Sequence, residues 1–219
     1  MNLFKKLLSY IYPLTIEEIR SEHNQFLEIV LFDGKYSLNS RNTNYSYGTL
    51  YILFKKIFRV VEIDWKNVRK VLILGFGTGS VAELINQYQP LCSIKGVEID
   101  DKIIELGKKY FRLSEFRNVE LSCCSAEKYL YSVDEKFDLI IIDVFNDMFV
   151  PGELETEKFI FKVRESLNKN GTVIFNKVVY SKSMEEQIPV LQNLYQKVFG
   201  NLKLLTIMDS GKIFVSEKL

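Results

Sequence analysis

The chain has 219 residues, 47% of them apolar and 26% charged, and 29 Lys+Arg against 28 Asp+Glu leave a net charge of +1. That balance is ordinary for a soluble globular protein and gives no electrostatic case for nucleic acid or a membrane surface as the main partner. The three cysteines (Cys92, Cys123 and Cys124) and the single His23 form no zinc-ligand pattern and point to a reducing, cytoplasmic setting. No apolar run approaches the ~18 residues of a membrane span, and the short apolar stretch ended by Pro13 lacks the features of a signal peptide.

Phe4, Leu7, Leu8 and Ile11 recur at helical spacing within residues 2–12. The simplest reading is a short helix packed on its own domain; a homodimer contact or a membrane-surface helix is the other. Residues 25–39 predict a hairpin turning at Asp33-Gly34. A polar loop over 39–44 comes next, and then a helix over 45–61. No Gly/Ser/Pro linker separates this lead-in (residues 1–65) from the main domain (66–219), so the two are expected to pack together.

From Val68 the pattern alternates. Strands are predicted at 71–74, 93–98, 118–122, 137–142 and 172–176, with helices at 80–89, 101–111, 126–131, 155–167 and 184–198. Asn170-Gly171 reads as a helix stop, and 203–208 with 212–216 as an antiparallel hairpin turning at Asp209-Ser210-Gly211. This is an α/β fold: a doubly wound, mostly parallel seven-stranded sheet with a final antiparallel hairpin. Ligands of such sheets bind beyond the carboxyl ends of the strands.

The first strand ends in Gly75-Phe76-Gly77-Thr78-Gly79-Ser80, where bare backbone at a helix N-terminus can approach a ligand. The second ends in Glu98, 19 residues after Gly79, where a carboxylate can accept both hydroxyls of a ribose; Asp100 reads as a helix cap. The third ends in Cys123-Cys124-Ser125, and Ser125 could hydrogen-bond a ligand. The fourth ends in Asp143, where burial would raise the pKa of a general base, with Asp147 beyond it; the fifth ends in Asn176.

Val71–Ser80, Gly96-Val97-Glu98-Ile99-Asp100, Phe137–Asp143, Val150-Pro151-Gly152 and Leu167–Val173 together resemble the class I S-adenosylmethionine-dependent methyltransferases, and within them the spermidine synthase branch. The resemblance implies that Gly75, Phe76, Gly77 and Gly79 wrap the amino-acid end of S-adenosylmethionine or its decarboxylated form. It implies that Glu98 takes the ribose, that Ile99, Ser125 and Ala126 complete the pocket, and that Asp143 deprotonates the attacking group. His23, Tyr47 and Asp147 are the candidates for contact with a small-molecule substrate.

Several departures from the branch stand out. Ser125 replaces an acid near the adenine, and the acidic word after the hairpin is absent. A Tyr-His-Glu word becomes Tyr47-Gly48-Thr49, and Asp143 and Asp147 are four positions apart rather than three. A polyamine needs several fixed carboxylates, and only one or two are legible. The first reading is therefore methyl transfer to an unidentified acceptor. The alternatives are aminopropyl transfer from the decarboxylated cofactor to a small amine, and a non-catalytic cofactor-binding homologue. A nicotinamide-dependent oxidoreductase fits the glycine spacing less well.

Overall fold

The computed structural model of the chain describes residues 3–147, 149–208 and 211–219. The lead-in comprises α1 (Leu3–Leu8), β1 (Leu14–Ile19), β2 (Leu27–Phe32), β3 (Lys35–Ser40) and β4 (Asn44–Ser46), followed by α2 (Gly48–Val60). The four strands form an antiparallel sheet in sequence order, with the expected hairpin at Asp33-Gly34. Two of its strands were not expected. In β1 the register shifts between Thr15 and Glu17, which hides its alternation, and β4 occupies three residues at the edge of the predicted loop. Helix α1 buries no residue of its own, and Leu3 and Leu7, with Ile11 just after it, are exposed. The helix is tied down instead through the buried Ser9, whose carbonyl and hydroxyl accept from the Asp33 and Gly34 amides.

The main sheet contains β5 (Lys70–Leu74), β6 (Ser93–Glu98), β7 (Val119–Cys123), β8 (Phe137–Ile142), β9 (Leu167–Val178), β10 (Lys203–Ile207) and β11 (Gly211–Glu217). They run in the order β10-β11-β9-β8-β5-β6-β7, with β11 antiparallel to both neighbours. Val71 to Leu74 and Leu139 to Ile142 are fully buried because helices cover both faces, which is why these strands read as unbroken apolar runs. Helices α2, α3 (Ser80–Tyr88) and α4 (Asp101–Tyr110) lie on one face, and α5 (Ala126–Ser132), α6 (Glu157–Glu165) and α7 (Lys182–Phe199) on the other.

Side chains of Asp100, Ser125, Thr156 and Ser181 cap α4 to α7, each accepting from an amide two or three residues on. Asn170-Gly171 is not a helix stop. It sits inside β9, where the register against β8 shifts, with Asn170 at φ 63°; a helix-ending signal and a strand irregularity use the same residues because both need positive φ. The predicted turn at Asp209-Ser210 lies outside the described residues. Leu27, Ile29 and Leu38 of the lead-in pack on Ile103, Leu106 and Phe111 at α4, so the lead-in joins the main sheet through an apolar seam. Among the described residues no helix is long and apolar enough to cross a membrane.

Candidate active site

Successive strands leave β5 in opposite directions, to β6 on one side and β8 on the other. A crevice opens where the order reverses. It is a cavity of about 900 Å³, floored by Gly75, Gly77, Glu98, Asp143 and Asn176.

The glycine turn is built by backbone necessity. Gly75 and Gly77 have φ of 81° and 58°, and a Cβ on Gly75 would stand 2.1 Å from the Asp143 carbonyl oxygen. Ser46 of β4 braces the turn from above, its Oγ accepting from the Thr78 amide at 3.2 Å. Glu98 braces it from the side, its Oε2 accepting from the Gly77 amide at 2.8 Å and its Oε1 from the Asp100 amide at 3.1 Å. Each Glu98 oxygen thus retains acceptor capacity toward the cavity it lines. Burial raises its pKa above the usual carboxylate range against the pull of those amides. Asp100 is fully buried and receives Ser21 Oγ and Asn24 Nδ2 from the lead-in besides capping α4.

Asp143 follows β8 and is 7% exposed. Asn176 of β9 donates Nδ2 to its Oδ1 at 2.8 Å. Burial pushes the Asp143 carboxyl up to about 7, with Asn176 opposing and the charge of Glu98 adding. A group so poised can take a proton from an attacking nucleophile near neutral pH. Asn176 belongs to the cavity lining, and its Oδ1 is buried with no hydrogen-bond partner among the described residues.

Asp147, at φ 53°, is turned toward the lead-in. Its carboxylate accepts from Ser40 Oγ at 2.8 Å and Asn42 Nδ2 at 2.6 Å, and its amide donates to Tyr45 Oη at 2.7 Å. Burial holds the Tyr45 phenol up at about 12, so it stays neutral and accepts that amide.

Of the residues singled out by sequence, the cavity gathers Gly75, Gly77, Glu98, Ile99, Ser125, Ala126, Asp143, Asp147 and His23. It does not gather three others. Phe76 is 2% exposed and turns beneath the sheet against Gly96, where a Cβ would come within 2.3 Å of its ring. Gly79 ends the turn at φ 99° against Phe116, Phe76 and Leu113. Tyr47 stacks on Phe111 and donates to Glu83 at 2.7 Å. For Phe76 and Tyr47 the reason is that a turn sends neighbouring side chains to different sides. Ser125 spends its Oγ on capping α5, accepting from the Lys128 amide at 3.2 Å.

Sequence reasoning missed Glu127 and Glu153. With them, the described lining residues include five carboxylates (Glu98, Glu127, Asp143, Asp147 and Glu153) and no lysine or arginine. Besides Glu98, the expectation was one or two acids; Glu127 and Glu153, exposed at the start of α5 and in the 3-10 turn Gly152–Glu155, add two at the cavity that only the fold brings there. Toward β9, β11 and β10 the lining becomes apolar, through Leu50, Leu53, Val178 and Ile207.

The sheet order, the terminal antiparallel hairpin and a crevice of this kind define the Rossmann-like fold of the class I methyltransferases. Within that class, a profile of the spermine/spermidine synthase domain matches residues 52–208, and the chain belongs to that family. Similar curated proteins include a "probable polyamine aminopropyl transferase" of Bifidobacterium longum, 34% identical over 64% of this chain and 31% of that protein. Another is a polyamine aminopropyltransferase of Vibrio vulnificus, 27% identical over 60% of this chain and 44% of that protein. The matched region thus spans about a third to a half of such relatives. Spermidine synthase from Thermotoga maritima superposes with a TM-score of 0.70 at 18% identity, over 94% of this chain and 73% of that structure. Human methyltransferase-like protein 13 does so with a TM-score of 0.64 at 21% identity, over 78% of this chain and 81% of that structure. At these identities the structures bear on the fold.

Proposed function

We propose that the chain transfers an aminopropyl group from decarboxylated S-adenosylmethionine to an amine, with Asp143 as general base. This reverses the order of the two transfer readings. The family, and the names of the similar curated proteins, favour aminopropyl over methyl transfer. The observation that carries the proposal is a buried Asp143, raised to about 7, in a cavity whose described lining residues include five carboxylates and no lysine or arginine. Such a lining attracts a sulfonium and an ammonium and disfavours a phosphate or a dinucleotide.

The donor set fits the adenosyl-sulfonium group. Glu98 has lone pairs free for a ribose diol, and Gly75 and Gly77 leave the floor bare beside it. When bound, the donor supplies an electrophilic methylene on positive sulfur. The amine's lone pair forms the new C–N bond as the C–S bond breaks, its electron pair leaving on sulfur as the neutral thioether of methylthioadenosine. Asp143 takes the surplus proton from nitrogen, and the Asn176 amide holds the carboxylate in place. The lead-in and the segment after β8 roof the cavity, limiting water at the reacting atoms.

The test is incubation of the pure protein with decarboxylated S-adenosylmethionine and a panel of amines, reading methylthioadenosine release and the mass of the amine product. S-adenosylmethionine is run in parallel. Methyl transfer from the carboxylated form, with no methylthioadenosine from the other, would sink the proposal.

A further inference from the structure

The described residues 143–147 and 149–155 lead from Asp143 to a 3-10 turn at Gly152–Glu155, and ten of them, Asp143 included, line the cavity. Both ends are held by consecutive residues of β9. Asn176 holds the start, on the cavity face, through Asp143. Lys177 points to the other face and is 3% exposed; it donates Nζ to the carboxylate of Glu155, with Gln187 of α7 at 3.4 Å. Neither Lys177 nor Glu155 lines the cavity.

A buried ion pair is a poor device for stability alone, since desolvating both charges offsets most of the attraction and an apolar pair of similar volume often does as well. What the pair supplies, and an apolar contact does not, is a directional tether of one length. We propose that Lys177 is a positioning residue: through Glu155 it fixes the far end of the segment that carries Asp143 and closes the cavity. Strand alternation lets one strand grip both ends of the segment, one from each face. Loss of the tether loosens residues 149–154, beyond the bonds that hold Asp147 to Ser40, Asn42 and Tyr45, and weakens ligand closure, while Asp143 keeps its bond to Asn176. The consequence for turnover rests on the aminopropyl reading; the consequence for the segment does not.

The test compares Lys177→Met, Lys177→Arg and the double variant Lys177→Met/Glu155→Leu, which removes both charges and should fold even where the single variant is weakened by an unpaired Glu155. Three quantities are read: limited proteolysis within 149–154, affinity for methylthioadenosine, and donor KM against kcat. Expected for the Met variant and the double variant are faster cleavage and an affinity loss and KM rise of about tenfold, of the order of one charged hydrogen bond, with kcat changed less. Lys177→Arg should recover much of both. A double variant with wild-type cleavage, affinity and KM would overturn the proposal, as would a Met variant that loses only thermal stability. Proteolysis needs no ligand, so inactive wild-type protein whose cleavage still responds to Lys177 would remove the assigned reaction and leave the tether standing.

Discussion

Asn176 donates its side-chain amide to Asp143 across the ends of β9 and β8 at 2.8 Å, while its own side-chain oxygen stays buried without a hydrogen-bond partner among the described residues. One amide thus steadies the base at the cavity floor. Asp143→Asn should keep donor binding and lower turnover by about 10²–10⁴-fold, the range for removing a general base. Calorimetry with methylthioadenosine and product release read the two quantities separately, and undiminished turnover would exclude Asp143 as the base.

The pH profile is set by the same pair. Asp143 accepts a proton only when ionised, so kcat/KM should rise tenfold per pH unit below about 7 and level off above it. Asn176→Leu removes a bond that favours the ionised form, so the inflection should move upward. A profile flat from pH 5.5 to 8.5 would contradict the assignment.

Stability should run the other way. The folded Asp143 carboxyl titrates near 7 against about 3.9 in the unfolded chain, so its contribution is fully present below about pH 4 and lost as pH rises through 7. Asp143→Asn should therefore raise Tm relative to wild type at pH 8 and by less at pH 5. Thermal melts at the two pH values check the sign.

Glu98 lines the cavity with lone pairs that the Gly77 and Asp100 amides leave unused, and in the proposed reaction these take the ribose diol. Glu98→Ala should cost about 1.5–3 kcal/mol in methylthioadenosine affinity, the range for hydrogen bonds to a charged group. Unchanged affinity by calorimetry would remove Glu98 from the ribose site.

Gly75→Ala tests the backbone fit. At φ 81° with the Asp143 carbonyl oxygen 2.1 Å from the added Cβ, the turn or the base must shift. Loss of more than about 1 kcal/mol of stability is expected, together with loss of turnover. Wild-type stability and activity would show that the turn tolerates a side chain.

The sequence by itself determined the main sheet, because the central strands β5 and β8 are apolar runs and the helices between strands carry amphipathic stripes, with capping residues ahead of α4 to α7. It also placed Gly75, Gly77, Glu98 and Asp143 at the carboxyl ends of β5, β6 and β8, since parallel strands bring those ends to one edge. Only the tertiary structure decided which way side chains in the turns and loops point. Phe76 goes beneath the sheet, Tyr47 goes to Glu83, Asp147 spends its carboxylate on Ser40 and Asn42, and Glu127 and Glu153 come to the cavity. Periodicity fixes a side chain's face only inside a regular element. In turns and loops that choice is made by partners 30 to more than 100 residues away in the chain, such as Glu83 for Tyr47 and Ser40 for Asp147, which no local pattern encodes.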